Sequence, residues 1–485
     1  QINKSAVLRN KTFGAFCMKK FICAALCAVT ALSMAGCSGK NPSNSGKVGD
    51  DVYVKIIDAG IGKDWLDNVA SAYYEETGIR VHITADTDLT AKLLQDMNTP
   101  GSEKEDMYFV GQQMNNWIKW TRNGLIASID DVLSSDKYGV PASERVVDSS
   151  ILDMGKIDGS HYLTSYVYSS WGFVYNQSYL NRIDSYGEYT KGEWPETVQG
   201  LLDLCTAVNN AKIVNNRTKQ TVKPFGCGFT VNYMNWLFHG LWYEIDPNGY
   251  NDYYNYNDQK GGFPTDKLVT PATIKAMQTV YDLIDPKSSS ESNAVSWSQN
   301  HTESQQSFVN GDCVFAFTGS WFETEMRNIL TEVGLTDYRF GAYPVYNEGD
   351  KTTLMMNLPG ETFVIPSEAV NVDGAKDFLT FVLSEKGVAA SSKKLGFPMI
   401  YSTDEDVALS SFGQEIAAVS EKANLAYVYS QNDVYRTGAL ELFLSEPKPI
   451  LQIAKGASSR SAVEDLLRNE AVHHSGLWSE YMKRI

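Results

Sequence analysis

Nineteen consecutive residues, Tyr162 to Leu180, carry no charge and alternate β-branched and aromatic side chains through Tyr166-Val167-Tyr168 and Phe173-Val174-Tyr175. A run of that composition has no polar face to turn to water, so it predicts a strand buried on both sides. Such a strand needs a domain wrapped around it. The run breaks at Asn176-Gln177, and Pro195-Glu196-Thr197-Val198 opens an apolar stripe of helical period; proline is at ease in a first helical turn. A strand, a loop and a helix are expected in that order.

The first forty residues read differently. Met18-Lys19-Lys20 precedes an apolar run from Phe21 to Met34, and Ala35-Gly36-Cys37 follows. A cationic start, an apolar stretch and a small-residue site describe a secretory signal, with residues 1–17 upstream of its start and 1–36 removed. The ending Met34-Ala35-Gly36-Cys37 resembles a bacterial lipobox, which implies that Cys37 is acylated and becomes the first mature residue. Residues 37–50 are mostly Gly, Ser, Asn and Lys, the composition of a flexible tether. A soluble body on a lipid anchor is expected.

Lys4, Arg9, Lys11, Lys19 and Lys20 leave with the signal and no acid does, so the formal charge of −16 falls by five to about −21. A chain that acidic is a poor match for nucleic acid. Of the cysteines beyond Cys37, only Cys205, Cys227 and Cys313 remain, too few and too far apart for a metal pattern, and they read as small buried hydrophobes.

The body begins with a regular alternation. Val52–Ile57 predicts a strand; Trp65, Val69, Ala72 and Tyr73 a helix stopped by Gly78; Ile79–Ile83 a second strand; Leu89, Leu93, Leu94 and Met97 a second helix; and Met107–Val110 a third strand. This β-α-β-α-β order predicts a parallel sheet whose ligand edge lies at the strands' carboxyl ends. Asp58 and Gln112-Gln113 follow two of those ends.

Several short patterns recur in a telling order: Tyr74-Glu75-Glu76-Thr77-Gly78-Ile79-Arg80-Val81, Gly124-Leu125-Ile126-Ala127-Ser128-Ile129-Asp130, Val174-Tyr175-Asn176 with Trp194-Pro195-Glu196-Thr197, and Phe308-Val309-Asn310-Gly311-Asp312 leading to Gly319-Ser320-Trp321. Tyr343-Pro344, Ala375–Phe381 with Ser384-Glu385-Lys386-Gly387, and Leu395-Gly396-Phe397-Pro398 continue it. Together they resemble the family 1 extracellular solute-binding proteins, the substrate-capturing lipoproteins of ABC importers, to which maltose-binding protein belongs. The resemblance implies an α/β, periplasmic-binding-protein-like fold of two hinge-linked, discontinuous lobes, 51–163 plus 362–424 and 164–361 plus 425–485. It further implies a monomer without cofactor that holds a small solute in its cleft and delivers it to the transmembrane permease subunits of an ABC importer.

Under that resemblance Trp321 falls where sugar-binding members offer an aromatic platform, and a sugar ring has an apolar C–H face that packs on indole. Asp58, Gln112, Gln113 and Glu361 are candidates for its hydroxyls. Tyr168 and Trp171 lie on the central strand, Asn235-Trp236 in a stretch read as loop-rich, and Tyr435-Arg436 near the last return crossing. Asp58 has the competing reading of a helix cap. The Tyr/Asn-rich Asn248–Asp258 reads as an ordered surface insertion without the spacing of a calcium loop. Two alternatives stay open at this level: capture of a charged solute such as a polyamine or metal ion, and an extracellular enzyme acting on glycans. Against the enzyme, no nucleophile motif or carboxylate pair stands out.

Overall fold

The computed structural model describes residues 50–58, 60–110, 117–286, 292–356, 360–427, 432–436, 439–440 and 449–484. The expected signal, Cys37 and nearly all of the tether lie outside the described residues, as do Gln112 and Gln113.

Among the described residues the strands are β1 (Val52–Ile57), β2 (Val81–Asp86), β3 (Met107–Val110), β4 (Lys156–Ile157), β5 (Ser160–His161), β6 (Ser170–Asn176), β7 (Lys223–Cys227), β8 (Cys313–Gly319), β9 (Tyr338–Gly341), β10 (Thr353–Met356), β11 (Thr362–Val364) and β12 (Asn424–Tyr427). Apart from the β4–β5 hairpin they form two sheets. The first has the order β11-β3-β1-β2, with β1 parallel to β2 and β3, and β11 antiparallel to β3. The expected β-α-β-α-β opening is present, its helices being Asp64–Thr77 and Leu89–Asn98. Gly78 ends the first of these at φ 75°, the left-handed cap that glycine adopts without cost.

The second sheet runs β12-β10-β6-β8-β7, with β9 also on β6. One edge of β6 is shared, Ser170 and Trp171 pairing with β10 and Phe173–Asn176 with β9. The other edge pairs with β8 along Trp171–Tyr175. Strand β6 therefore sits at the centre of the sheet, and all seven of its residues are buried, as their uncharged composition predicts. Asn176 ends it by accepting a hydrogen bond from the Tyr179 amide.

The expected strand is longer than the observed one. Residues 162–169 lie outside β6 and form a buried passage between the two sheets: Ser165 bridges to Thr362 and Val167 to Met399. Tyr166 stacks on Trp65 at 4.9 Å and donates to Ser391 Oγ, both on the first-sheet side. Chain that is enclosed on both sides need not be sheet, and an uncharged pattern cannot separate the two cases. The helix expected from Pro195 starts later, at Val198, capped by the Thr197 hydroxyl accepting from the Gly200 amide.

The chain passes between the sheets three times: along 164–169, between Met356 and Thr362, whose Thr362 bridges to Ser165, and in the segment after Leu395, whose Met399 bridges to Val167. In the third, the helix Glu385–Leu395 packs on the helix Asp64–Thr77 of the first-sheet side. Residues Pro398–Ile400 then accompany Tyr166–Tyr168, and the helix Ser411–Lys422 lays Phe412 against Tyr338 and Phe340 of the second sheet. The return to the second sheet thus precedes Asn424.

One further expectation is qualified and another corrected. The Tyr/Asn-rich segment is ordered and exposes Asn248, Asn251, Asp252, Asn255, Asn257 and Asp258, but its other face is core: the helix Pro247–Tyr254 buries Tyr250, Tyr253 and Tyr254, and His239 hydrogen-bonds the hydroxyls of Tyr250 and Tyr254. Asn235-Trp236 is not in a loop but in the helix Tyr233–Ile245, whose side chains are apolar nearly all round, the pattern of a helix enclosed by protein. Cys205, Cys227 and Cys313 are free and buried, as read.

Candidate functional site between the two sheets

Strand direction locates the site. In the first sheet β1, β2 and β3 run together and only β11 opposes them. In the second, β7, β8, β9, β10 and β12 run together and only β6 opposes them. Each opposing strand is the one that arrives from a passage, β6 after 164–169 and β11 after Met356. A passage therefore delivers the chain to the carboxyl edge of the sheet it enters. The two carboxyl edges, where open α/β sheets bind ligands, are thereby brought to the same crossing region.

On the second edge, Trp171 pairs with Gly319, so the end of β8 leads into Ser320-Trp321 beside it. The amide of Ser170 donates to Ser320 Oγ and Ser320 N to Ser170 O, which fixes the turn. A Cβ on Gly319 would stand 2.2 Å from the Trp321 ring, so the indole can fold back only over glycine. Trp171 is enclosed by rings: Trp236 stacks on it at 5.2 Å, Phe317 at 5.7 Å, and Tyr233 and Trp321 meet it edge-on, each at 4.7 Å. Trp171 is 4% exposed and Trp321 7%, while Trp236 is only partly buried, the most accessible ring of this group. The Trp321 indole donates to the Tyr233 hydroxyl at 3.3 Å.

Several polar atoms inside this group lack partners: Trp171 Nε1 and both amide atoms of Asn235, which is 1% exposed. An unpaired buried polar group costs about 1–3 kcal/mol, so such atoms are concentrated where something else completes them. Tyr233 was not expected from the sequence. Its signal was available, because Tyr233, Trp236 and His239 recur at a helical spacing of three and share one helix face.

On the first edge, Asp58 stands exposed at the end of β1, with its amide bonded to Asp86 O. It caps no helix, since the helix Asp64–Thr77 begins at Lys63 without a side-chain cap. Glu361 precedes β11, whose Thr362 pairs with Val110 at the carboxyl end of β3. Burial pushes the Glu361 carboxyl up to about 8, against the lowering effect of a hydrogen bond with Ser169.

The remaining expected residues are dispersed. Tyr168 is buried beside Ser420 of the helix Ser411–Lys422, which eases its burial-raised pKa. Tyr435 is buried edge-on to Tyr254, 6.1 Å away, and the side chain of Arg436 lies outside the described residues. Its neighbour Asp433 forms an ion pair with Arg122 of the first-sheet side at 3.5 Å. Among the described residues no cluster of three or more His, Cys, Asp or Glu is placed to hold a metal, and no helix is long and apolar enough to cross a membrane.

Two α/β sheets that meet carboxyl edge to carboxyl edge across three chain passages define the class of periplasmic-binding-protein-like receptors. The chain belongs to the bacterial extracellular solute-binding protein family, whose profile matches residues 68–418. The solved structure of the GacH receptor of Streptomyces glaucescens, determined unliganded and in complex with acarbose and an acarbose homolog, superposes on 89% of this chain and 99% of its own, with a TM-score of 0.61. At 16% identity that likeness is one of fold. No curated protein matches the sequence.

Proposed function

We propose that this chain captures a small solute, a mono- or oligosaccharide, between its two sheets and hands it to the transmembrane subunits of an ABC importer. The observation that carries this reading is the group of rings around Trp171, with Trp236 at its accessible side and the unpartnered amide of Asn235 among them. Apolar faces beside unsatisfied donors and acceptors are what a sugar ring requires. The GacH receptor's complexes with acarbose support a carbohydrate in a fold of this kind.

Each sheet heads one lobe, and the three passages form the hinge. The second lobe begins after 164–169, and its return falls before Ser411 because Phe412 already packs on the second sheet. Closure brings Asp58 and Glu361 of the first edge toward Trp321, Trp171, Asn235 and Trp236 of the second. A solute that touches both edges only in the closed state favours closure. Cys37 carries the lipid that anchors the protein, outside the cytoplasm, to the bacterial cell membrane.

The test is a thermal-shift screen of residues 50–485 against mono- and oligosaccharides, polyamines, amino acids and divalent ions. A ligand at a hundred times its Kd stabilises the folded state by about 2.7 kcal/mol. A shift with one sugar class that Trp236→Ala abolishes is the expected result. A shift confined to amines or cations overturns the choice of ligand, and silence across the panel overturns the capture reading.

A further inference from the structure

Glu361 occupies an unusual place. It is 7% exposed, its backbone lies in the left-handed region at φ 46°, and it stands at the carboxyl edge of the first sheet where the chain re-enters β11. Residues other than glycine adopt that conformation at a cost, and such strain is typically stored at functional sites. Its carboxyl is hydrogen-bonded with Ser169, at the end of the passage that leads into Trp171, while Oε2 has no partner. The side chain therefore reaches from one sheet edge toward the other, with one oxygen unused.

We propose that Glu361 binds the solute as an uncharged carboxylic acid, donating its hydroxyl hydrogen to a ring, glycosidic or hydroxyl oxygen of a neutral saccharide held between the two sheets. This rests on the capture reading above and adds the chemical character of the contact. A buried carboxylate needs a cation beside it, whereas a neutral acid costs no more to desolvate than an amide. Among the described residues no ion pair forms at Glu361, and no charged group contributes to its raised pKa of about 8. The titratable side chains of the adjoining passage, Tyr166 and Tyr168, have pKa values raised by burial and are neutral in the same range. Tyr108 of β3, the strand paired with β11, is raised likewise. The acid form thus supplies one donor and one acceptor from a single side chain, at a position where the carboxylate would supply only acceptors.

The experiment measures the affinity of residues 50–485 for maltose, maltotriose and acarbose by calorimetry at pH 6, 8 and 9, in two buffers of different ionisation enthalpy, alongside Glu361→Gln and Glu361→Ala. The expected result for a sugar that binds is an affinity about tenfold weaker at pH 9 than at pH 6, with no proton released at pH 6. Glu361→Gln keeps the binding and loses the pH dependence. Glu361→Ala weakens binding at least tenfold at pH 6; if it fails to fold, the flattened profile of the isosteric Gln variant carries the test. An unchanged affinity from pH 6 to 9 overturns the proposal and leaves solute capture standing. Tighter binding at higher pH with a proton released on binding also overturns it, because an ionised Glu361 is then pairing with an amine. Silence from all three sugars at every pH overturns the proposal together with the choice of these saccharides as ligand class. Whether solute capture also falls is then decided by the amines, amino acids and ions of the wider screen.

Discussion

The two sheet edges that meet at the crossings are built by different means. The second edge is a set of rings locked against one another, with Trp171 enclosed by Trp236, Phe317, Tyr233 and Trp321 before any solute arrives. The first edge is uneven: Glu361 is buried beside β3, but toward β2 the edge is open and charged, with Asp58 exposed, Asp86 paired with Lys92, and no fully buried residue in β2. One wall is fixed by its own packing and the other can rearrange cheaply. Under the proposed solute capture, the rigid wall would select shape and the soft one would adjust polar contacts.

The sharpest way to break this contrast is to remove the centre of the rigid wall. Trp171→Ala is expected to cost about 3–5 kcal/mol in urea unfolding, whereas Asp58→Ala stays within about 0.5 kcal/mol. Comparable costs at the two positions would end the distinction. Glu244, on the helix that carries Trp236, gives the next test: burial raises its carboxyl to about 7, and Oε1 lacks a partner. A carboxyl raised in the folded state contributes stability that is complete below its unfolded pKa and declines as pH rises toward the folded value. Glu244→Gln should therefore gain about 1–3 kcal/mol relative to the parent at pH 8 and nothing at pH 4, read from paired unfolding curves.

Gly319→Ala probes how tightly Trp321 is set. The added methyl group has no room beside the indole, so a loss of about 1–3 kcal/mol and a changed tryptophan emission spectrum are expected. The smallest effect belongs to the Arg122–Asp433 pair that joins the first-sheet side to the far end of the chain. Both partners are substantially exposed, so Arg122→Ala should change stability by less than about 1 kcal/mol, and by less still at high salt.

Much of the first sheet could be read from the sequence because each of its elements declares itself locally. Val52–Ile57 alternates, Trp65 to Tyr73 keeps helical period, and Gly78 supplies the stop. The second sheet hid more, for reasons that lie in its packing. Enclosed chain needs no polar face, so the passage at 162–169 looks like the strand it leads into, and the helix Tyr233–Ile245 has too few polar positions to show a period. Tyr250, Tyr253 and Tyr254 carry hydroxyls that make a segment look wet, yet two of those hydroxyls find His239 inside the core. At the site, Trp171 and Trp236 were each singled out from the sequence but not as a pair, and the structure stacks one on the other, while Tyr233 was passed over although it shares a helix face with Trp236. Tyr168, three positions before Trp171, turns instead toward Ser420.

The pairing of β11 with β3 sets the order of events during synthesis. Val110 and Thr362 are about 250 residues apart, so a chain emerging from the ribosome displays the free edge of β3 long before its partner exists. The first sheet cannot be completed until the whole of the second sheet's β6–β10 segment has been made. An incomplete chain is thus left with an unpaired strand edge, a template for aggregation that the finished protein removes. Export of the chain before it folds would place that vulnerable interval outside the compartment where synthesis is crowded, and would make the arrival of Thr362–Val364 the step that commits the molecule to its native form.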